Sequence, residues 1–262
     1  SYNILVDYGD VALKAKGGVL GKVKVDPSRP LKVQLALISS GIEECFEALG
    51  KPAQFEYKLD GFRVLINKSK GKVFVYTRAQ EDVTKQFPDL VEAVGNIKGK
   101  NFIIDGEAVA HDGKKYLPFQ VISQRIKRKY GIKEMSKKYP VELDVFDVLY
   151  YEGKSFFNKP LIERRKFLED AVKEKKWKIM LTKKLVTSSL RDAEKFYKKA
   201  LMDGEEGVII KNLESLYRPG RYVGGWMKLK NVLEPLDLVI VKAEYGTGKR
   251  AGWLTSFIVA CR

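Results

Sequence analysis

Two cysteines and one histidine are all that the 262 residues supply. Cys45 and Cys261 lie far apart and show no metal-ligand spacing, and His111 has no second histidine to work with. A zinc site and a histidine-based triad are therefore nearly excluded, and a reducing, intracellular setting is expected. No run of about 18 apolar residues exists, so no segment reads as a membrane-spanning helix. The N-terminus lacks the charged start, apolar middle and small-residue cleavage site of a signal peptide. Internal repeats and low-complexity tracts are absent as well. What the chain has in excess is positive charge: Lys and Arg number 49 against 33 Asp and Glu, a net of +16. That balance favours a polyanionic partner, whether DNA, RNA or an anionic membrane. A hydrophobic content of 45% is enough for a real core.

Along the chain, residues 1–30 read as the end of an upstream domain plus a linker punctuated by Gly17-Gly18 and Pro27 to Pro30. Leu35, Ile38, Ile42, Phe46 and Leu49 recur at helical spacing, which predicts a helix over 35–49 stopped by Gly50-Lys51-Pro52. Strands follow at 53–57, 62–68 and 73–77, with a helix over 84–94 and a strand pair over 102–110. Residues 119–130 read as an amphipathic helix, with Val121, Ile122 and Ile126 on one side and Arg125, Lys127, Arg128 and Lys129 on a solvated face. A long strand over 141–151 alternates Leu143, Val145, Asp147 and Leu149 with Asp144, Phe146, Val148 and Tyr150. Helices at 161–173 and 190–201 flank a strand at 177–181; strands at 208–211 and 226–230 are joined by a Gly- and Arg-rich loop. From about Leu233 a new all-β unit begins. This mixture lacks a regular βαβ rhythm and predicts an α+β fold with mainly antiparallel sheets.

The chemistry gathers around Glu56-Tyr57-Lys58-Leu59-Asp60-Gly61-Phe62-Arg63. Asp60-Gly61 predicts a tight turn between two strands, with Lys58 at its mouth. Polar residues at other strand ends are Arg78, Glu107, Glu206, Lys228 and Lys230. Together they suggest phosphoryl transfer to a lysine. Nearby cations disfavour an ammonium, so Arg63, Lys228 and Lys230 would push Lys58 toward the nucleophilic free amine and neutralise a triphosphate. Glu107 and Glu206 offer carboxylates to a sugar hydroxyl or to Mg²⁺, and Phe146 offers a ring face to a purine. Each residue also has a plainer reading: Glu107 as a solvated edge charge, Glu206 as a turn cap, Lys228 and Lys230 as the wet face of a strand, and Phe146 as core. His111 reads as a surface residue. Gly246 to Arg250 fails the phosphate-loop spacing and reads as a hairpin loop.

In order along the chain, Lys58-Leu59-Asp60-Gly61-Phe62-Arg63 matches a K-x-D-G-x-R nucleophile motif, followed by Asp105-Gly106-Glu107, Val145-Phe146-Asp147, Glu206 to Lys211, and Trp226 to Lys230. From about Pro30 to its end the chain resembles the covalent nucleotidyltransferases, and most closely ATP-dependent DNA ligases of archaeal and eukaryotic type. That resemblance implies an ATP-grasp-like adenylation domain at 31–232 and the first strands of a truncated OB-fold at 233–262. It implies that Lys58 attacks the α-phosphate of ATP and carries AMP. Glu56 would lie against the adenine and the lysine, Phe146 would stack on the base, and Glu107 would bond the ribose. Arg63 and Arg78 would contact ribose and phosphate; Lys228 and Lys230 would hold the α-phosphate. Mg²⁺ would be held by Glu206, with Asp60. Related ligases often carry an arginine in the loop before the last of these motifs; Tyr222 stands there, and Arg221 is the expected substitute. The implied partner is nicked double-stranded DNA, with a sliding clamp reached through N-terminal or missing regions, and a monomer is expected. The implied location is the cytoplasm of an archaeon or the nucleus of a eukaryote. A basic sixth motif is missing at Arg262, so the expectation is a fragment that holds AMP and seals nicks poorly. An mRNA capping guanylyltransferase and an RNA ligase share the lysine motif; a nucleotide-free DNA-binding module is the rival of another class.

Overall fold

The computed structural model describes residues 2–220, 224–231 and 236–261. It divides into two compact units, Ser1–Lys230 and Asn231–Arg262. In the first unit the chain opens with two short helices, α1 (Tyr2–Leu5) and α2 (Tyr8–Lys16), then β1 (Leu37–Ile38), α3 (Ile42–Leu49) and β2 (Ala53–Lys58). Next come β3 (Phe62–Ser69), β4 (Lys72–Thr77), α4 (Pro88–Ala93), β5 (Phe102–Ala110), α5 (Phe119–Ile126) and α6 (Ile132–Lys138). The long β6 (Val141–Tyr151) leads through β7 (Lys154–Ser155), α7 (Leu161–Ala171), β8 (Ile179–Leu181) and β9 (Lys184–Thr187) to α8 (Leu190–Met202), β10 (Gly207–Asn212) and β11 (Trp226–Lys230).

These strands form two sheets. One has the order β1-β11-β10-β2-β9 and is antiparallel except where β1 joins β11. The other runs β4-β3-β5-β6-β7, with β8 parallel to β6. Alternation along each strand sends one set of side chains outward to helices and the other inward. Behind the first sheet, Phe55, Tyr57, Val208, Ile210, Met227 and Leu229 pack with Ile42, Cys45, Phe46 and Leu49 of α3 and with Ala193 and Ala200 of α8. Behind the second, Phe62, Val64, Ile66, Ile104 and Val145 pack with Leu90 of α4, Ile122 of α5 and Leu168 of α7. A third cluster unites the inner faces: Leu65, Ile103 and Leu149 of one sheet meet Trp226 of the other, with Leu31, Val33 and Tyr217.

Several expectations are corrected. Apolar spacing over 35–49 suggested one helix, but Leu37–Ile38 pairs with Met227 and Lys228 as a strand and only Ile42–Leu49 is helical. The sheet edge outbids a helix start, because Gly41 breaks the pattern. Residues 84–94 form a short α4 flanked by 3₁₀ turns at Thr84–Gln86 and Val94–Asn96. Residues 102–110 are one strand, not two, because Gly106 stays in register between Val64 and Val145. In β6 the alternation breaks at Asp147: Val148 joins Leu143 and Val145 outside, while Phe146 and Leu149 face inward. Irregular register against β5 accounts for the switch. Helix α5 stops at Ile126, and Arg125 is buried, with both terminal nitrogens on the Asp89 carboxylate at 2.7 and 2.8 Å. His111 is buried too, stacked on Trp177 at 4.6 Å between centroids.

The end of the N-terminal segment is held within the first unit: Asn67 donates to the Arg29 carbonyl at 2.8 Å and Tyr76 to the Ser28 carbonyl at 3.1 Å. The second unit is an antiparallel pair, β12 (Leu238–Tyr245) and β13 (Leu254–Cys261), joined by a loop with a 3₁₀ turn at Gly248–Arg250.

The first unit depends on a fully buried ion pair. Arg164 of α7 donates to both Asp147 oxygens at 2.7 and 3.0 Å and to the carbonyls of Lys159 and Ser215. Asp147→Ala strands that guanidinium without water. It is expected to lower the unfolding free energy by about 3–5 kcal/mol, read from urea denaturation curves.

Candidate active site

Strand β2 lies in the first sheet and β3 in the second, so Leu59-Asp60-Gly61 carries the chain from one sheet to the other. The expected strand, turn and strand are present, but the two strands do not pair with each other: β2 pairs with β10 and β9, β3 with β4 and β5. Gly61 is required by a close approach rather than by positive φ. A Cβ there would sit 2.4 Å from the Ala108 carbonyl oxygen and 2.9 Å from Glu107 Cγ. Lys58, Arg63 and Glu107 are thus drawn to the rim where the two sheets meet.

The inward parity of three neighbouring strands builds one wall. Register places Glu56, Ile209 and Lys228 in one row across the sheet, Gln54, Lys211 and Trp226 in the next, and Lys58, Gly207 and Lys230 in a third. Gly207 has φ of +143°, and any Cβ would lie 2.1 Å from the Leu229 carbonyl oxygen, so no side chain separates Lys58 from Lys230. Glu206 fills that gap. Its backbone N–H donates to the Lys58 carbonyl at 3.0 Å, and its Oε2 lies 2.6 Å from Lys58 Nζ and 2.7 Å from Lys230 Nζ. Burial raises the Glu206 carboxyl, but hydrogen bonds from Lys230 and Lys58 outweigh it and hold the group below the usual range. Lys228 is lowered as well, by burial and by Lys230, Lys58 and Arg78 nearby, which for a cation disfavours the charged form.

The opposite wall comes from the second sheet. Arg63, Glu107 and Phe146 line a cavity of about 240 Å³ together with Glu56, Lys58, Arg78, Thr182, Lys211, Trp226 and Lys228. Arg63 is heavily committed within the protein. It grips Asp105 through Nε at 2.9 Å and a terminal nitrogen at 2.6 Å, and donates to the Gln34 carbonyl at 2.6 Å. Asp105 is in turn held by the Tyr217 hydroxyl at 2.7 Å. Burial alone would lower the Arg63 pKa; Asp105 holds it above its ordinary value. Glu107 has no such partner. Burial pushes its carboxyl up to about 8 against the pull of Arg63 and Lys58.

At the inner end, Glu56 receives Gln54 Nε2 at 2.6 Å and pairs with Lys211 at 2.5 Å and Arg165 at 3.6 Å. Lys211 also lies 4.6 Å from the Phe146 ring and 4.2 Å from Trp226, while Arg63 lies 5.3 and 5.5 Å from the same rings. Burial lowers the Lys211 pKa despite Glu56. The result is a pocket with a carboxylate and an aromatic face inside and a cluster of cations at its mouth. Such a pocket suits a flat polar base with an attached phosphate chain.

The structure therefore brings together Glu56, Lys58, Arg63, Arg78, Glu107, Phe146 and Lys228 around one cavity, with Glu206 and Lys230 beside Lys58. Asp60 is elsewhere: its Oδ2 accepts from the Phe119 N–H at 3.1 Å, and it does not line the cavity. Arg221 lies outside the described residues. Sequence reasoning missed Lys211, Trp226 and Thr182, which line the cavity, and Asp105 and Tyr217, which hold Arg63 behind it. For Lys211 a signal existed, since it shares the inward parity of Ile209 on an otherwise apolar strand. Among the described residues no group of three His, Cys, Asp or Glu side chains could by itself hold a metal.

A family model described as "ATP dependent DNA ligase domain" matches residues 33–230. The chain is 48% identical over 266 residues to a DNA ligase of Nanoarchaeum equitans, covering 99% of this chain and 47% of that protein. It is 42% identical over 265 residues to a DNA ligase of Thermococcus fumicolans, covering 99% and 47%. The chain thus spans about half the length of the curated relatives it matches. Among solved structures it resembles a mycobacterial DNA ligase D complexed with ATP and MES. The TM-score is 0.60 and the identity 24%, with 89% of this chain and 68% of that one covered, a likeness of fold.

Glu107 supplies a pH test. Its proton leaves the unfolded chain near 4.5 and the folded protein near 8. Between those values the folded state holds the extra proton, so this group's contribution to stability falls as pH rises through the window. Glu107→Gln cannot ionise. Its melting temperature relative to wild type is expected to rise progressively from pH 5 to pH 8, measured by scanning calorimetry; a constant difference across that range would contradict the assignment.

Proposed function

Because the chain belongs to the ATP-dependent DNA ligase family, we propose that it is a ligase adenylation core that transfers AMP from ATP to Lys58 and onward to nicked DNA. The observation that carries this reading is the Glu206 carboxylate shared by Lys58 and Lys230 at the mouth of a base-sized cavity. Lys58 Nζ forms a bond to the α-phosphorus of ATP, the bond to the bridging oxygen breaks, and pyrophosphate leaves. Glu206, 2.6 Å from Nζ, is the nearest acceptor for the ammonium proton. Lys228 and Lys230 offset the charge that develops on the α-phosphate. Glu56 and Lys211 address the polar edge of the base, Phe146 its face, and protonated Glu107 a ribose hydroxyl. Arg63, with its donors engaged by Asp105 and Gln34, shapes the pocket and stiffens Phe146.

Magnesium fits one carboxylate of this set. That ion binds through one or two carboxylates with phosphate oxygens and waters completing the octahedron. Glu206 meets that requirement beside a triphosphate, and the ion would then screen phosphate charge; Asp60, engaged with Phe119, is not its companion. The second half of the reaction follows from the family. A 5′-phosphate oxygen attacks the phosphorus of the lysyl-AMP and releases Lys58. The 3′-hydroxyl then attacks the 5′-phosphorus, sealing the strand and releasing AMP. The net charge of +16 suits a DNA partner. Residues 31–232 would form the adenylating domain and 233–262 the start of an OB-fold.

Intact mass after incubation with ATP and Mg²⁺ tests the proposal. Wild type is expected to gain one AMP on Lys58, and GTP is expected to give none. Lys58→Ala should show no adduct, and Glu206→Ala should slow its formation by about 10²–10⁴-fold. An AMP adduct that persists in Lys58→Ala, or labelling by GTP in preference to ATP, would overturn it.

A further inference from the structure

The arm formed by α5 and α6 carries a charge pattern that adenylation does not use. Lys127, Arg128, Lys129, Lys133, Lys137 and Lys138 are exposed, and Glu134 is the single acid among them. Six cations against one acid within residues 127–138 is a dense local excess, whereas some surface cations elsewhere are matched, as in Lys159–Glu163, Lys178–Glu92, Lys184–Glu169 and Lys199–Asp203. Among the described residues none of the six arm cations has a carboxylate within 4 Å in an ion pair. At the tip, Tyr130 is 84% exposed, and the Arg128 guanidinium donates to its carbonyl at 3.0 Å. A large aromatic left in water amid unpaired cations is the composition of a nucleic-acid contact.

The arm is also held firmly at both ends. At its start, the Phe119 N–H donates to Asp60, two residues beyond the nucleophile. At its far side, buried Arg125 binds both Asp89 oxygens and the carbonyls of Gln86 and Tyr139. An eight-residue helix rises about 12 Å. The tip therefore stands on the order of 12–20 Å from the nucleophile turn, the length of about four to six base pairs.

We propose that residues 127–130 form a clamp on the duplex phosphates several base pairs from the nick, holding DNA in register with Lys58. The proposal rests on the DNA-ligase reading of the site. In it, Lys127 and Lys129 neutralise phosphates, and the Tyr130 ring packs on deoxyribose. The clamp sets the position of the duplex and takes no part in charging Lys58 with AMP.

The test compares Lys127→Ala/Lys129→Ala, Tyr130→Ala and a control of equal charge loss, Lys195→Ala/Lys198→Ala on α8. Each is measured for AMP adduct formation, melting temperature and affinity for a nicked duplex over a salt series. The arm double variant is expected to keep its melting temperature and adduct. It should bind the nick about tenfold more weakly, with the logarithmic salt slope smaller by about 1.8, two phosphate contacts at about 0.9 each. Tyr130→Ala should weaken binding with the slope unchanged. Equal effects from the control, or unchanged binding and slope in the arm variant, would overturn the clamp. So would weakened binding to anionic vesicles with duplex binding intact. Nick binding is read without ATP, so a failure of wild type to form the adduct would sink the ligase reading while the arm comparison still stands.

Discussion

One carboxylate held between two ammonium groups governs the site. Glu206 reaches Lys58 and Lys230 together because Gly207 removes the side chain that would stand between their strands. The contact joins β2, β10 and β11 at their ends, where ladder hydrogen bonding gives way to side-chain chemistry. Two cations at 2.6 and 2.7 Å from one oxygen outweigh the partial desolvation of the acid, which keeps Glu206 ionised. In the proposed reaction, a phosphate arriving at the rim would meet Lys228 and Lys230, with Glu206 able to release a lysine.

The opposite wall solves a different problem. Arg63, Asp105 and Tyr217 form a closed polar group inside the inter-sheet core, each satisfying another's hydrogen bonds. Such networks define geometry when complete. Here Arg63 of the network lies 5.3 Å from the Phe146 ring, which Lys211 and Trp226 also contact. The cavity is consequently closed by packed rings at its inner end and cationic at its rim. Glu107 is half-buried, and its raised pKa reflects desolvation that Arg63 and Lys58 only partly offset.

Period-two alternation in β2, β10 and β11 made much of the first wall readable. Glu56 and Lys58, then Lys228 and Lys230, fall on one parity while Phe55, Tyr57, Met227 and Leu229 fall on the other. The same rule misled in β6, where an irregular register moves Val148 across the sheet, and in α5, where helical spacing put Arg125 in water although Asp89 buries it. Local pattern carries no information about a partner thirty-six residues away. The unpaired cations beyond Ile126 were visible as a run, but their lack of carboxylate partners was not.

By itself the sequence determined the lysine motif, the order of the charged strand ends, the alternating faces and the excess of positive charge, since these are properties of neighbours along the chain. Tertiary structure alone decided that Asp60-Gly61 crosses between sheets instead of closing a hairpin. It also decided that Asp60 anchors α5 rather than facing the cavity, and that Glu206 stands between two lysines. The physical reason is common to all three. Each depends on the packing of strands distant in sequence, where a missing Cβ at Gly61 or Gly207 sets how closely two backbones approach.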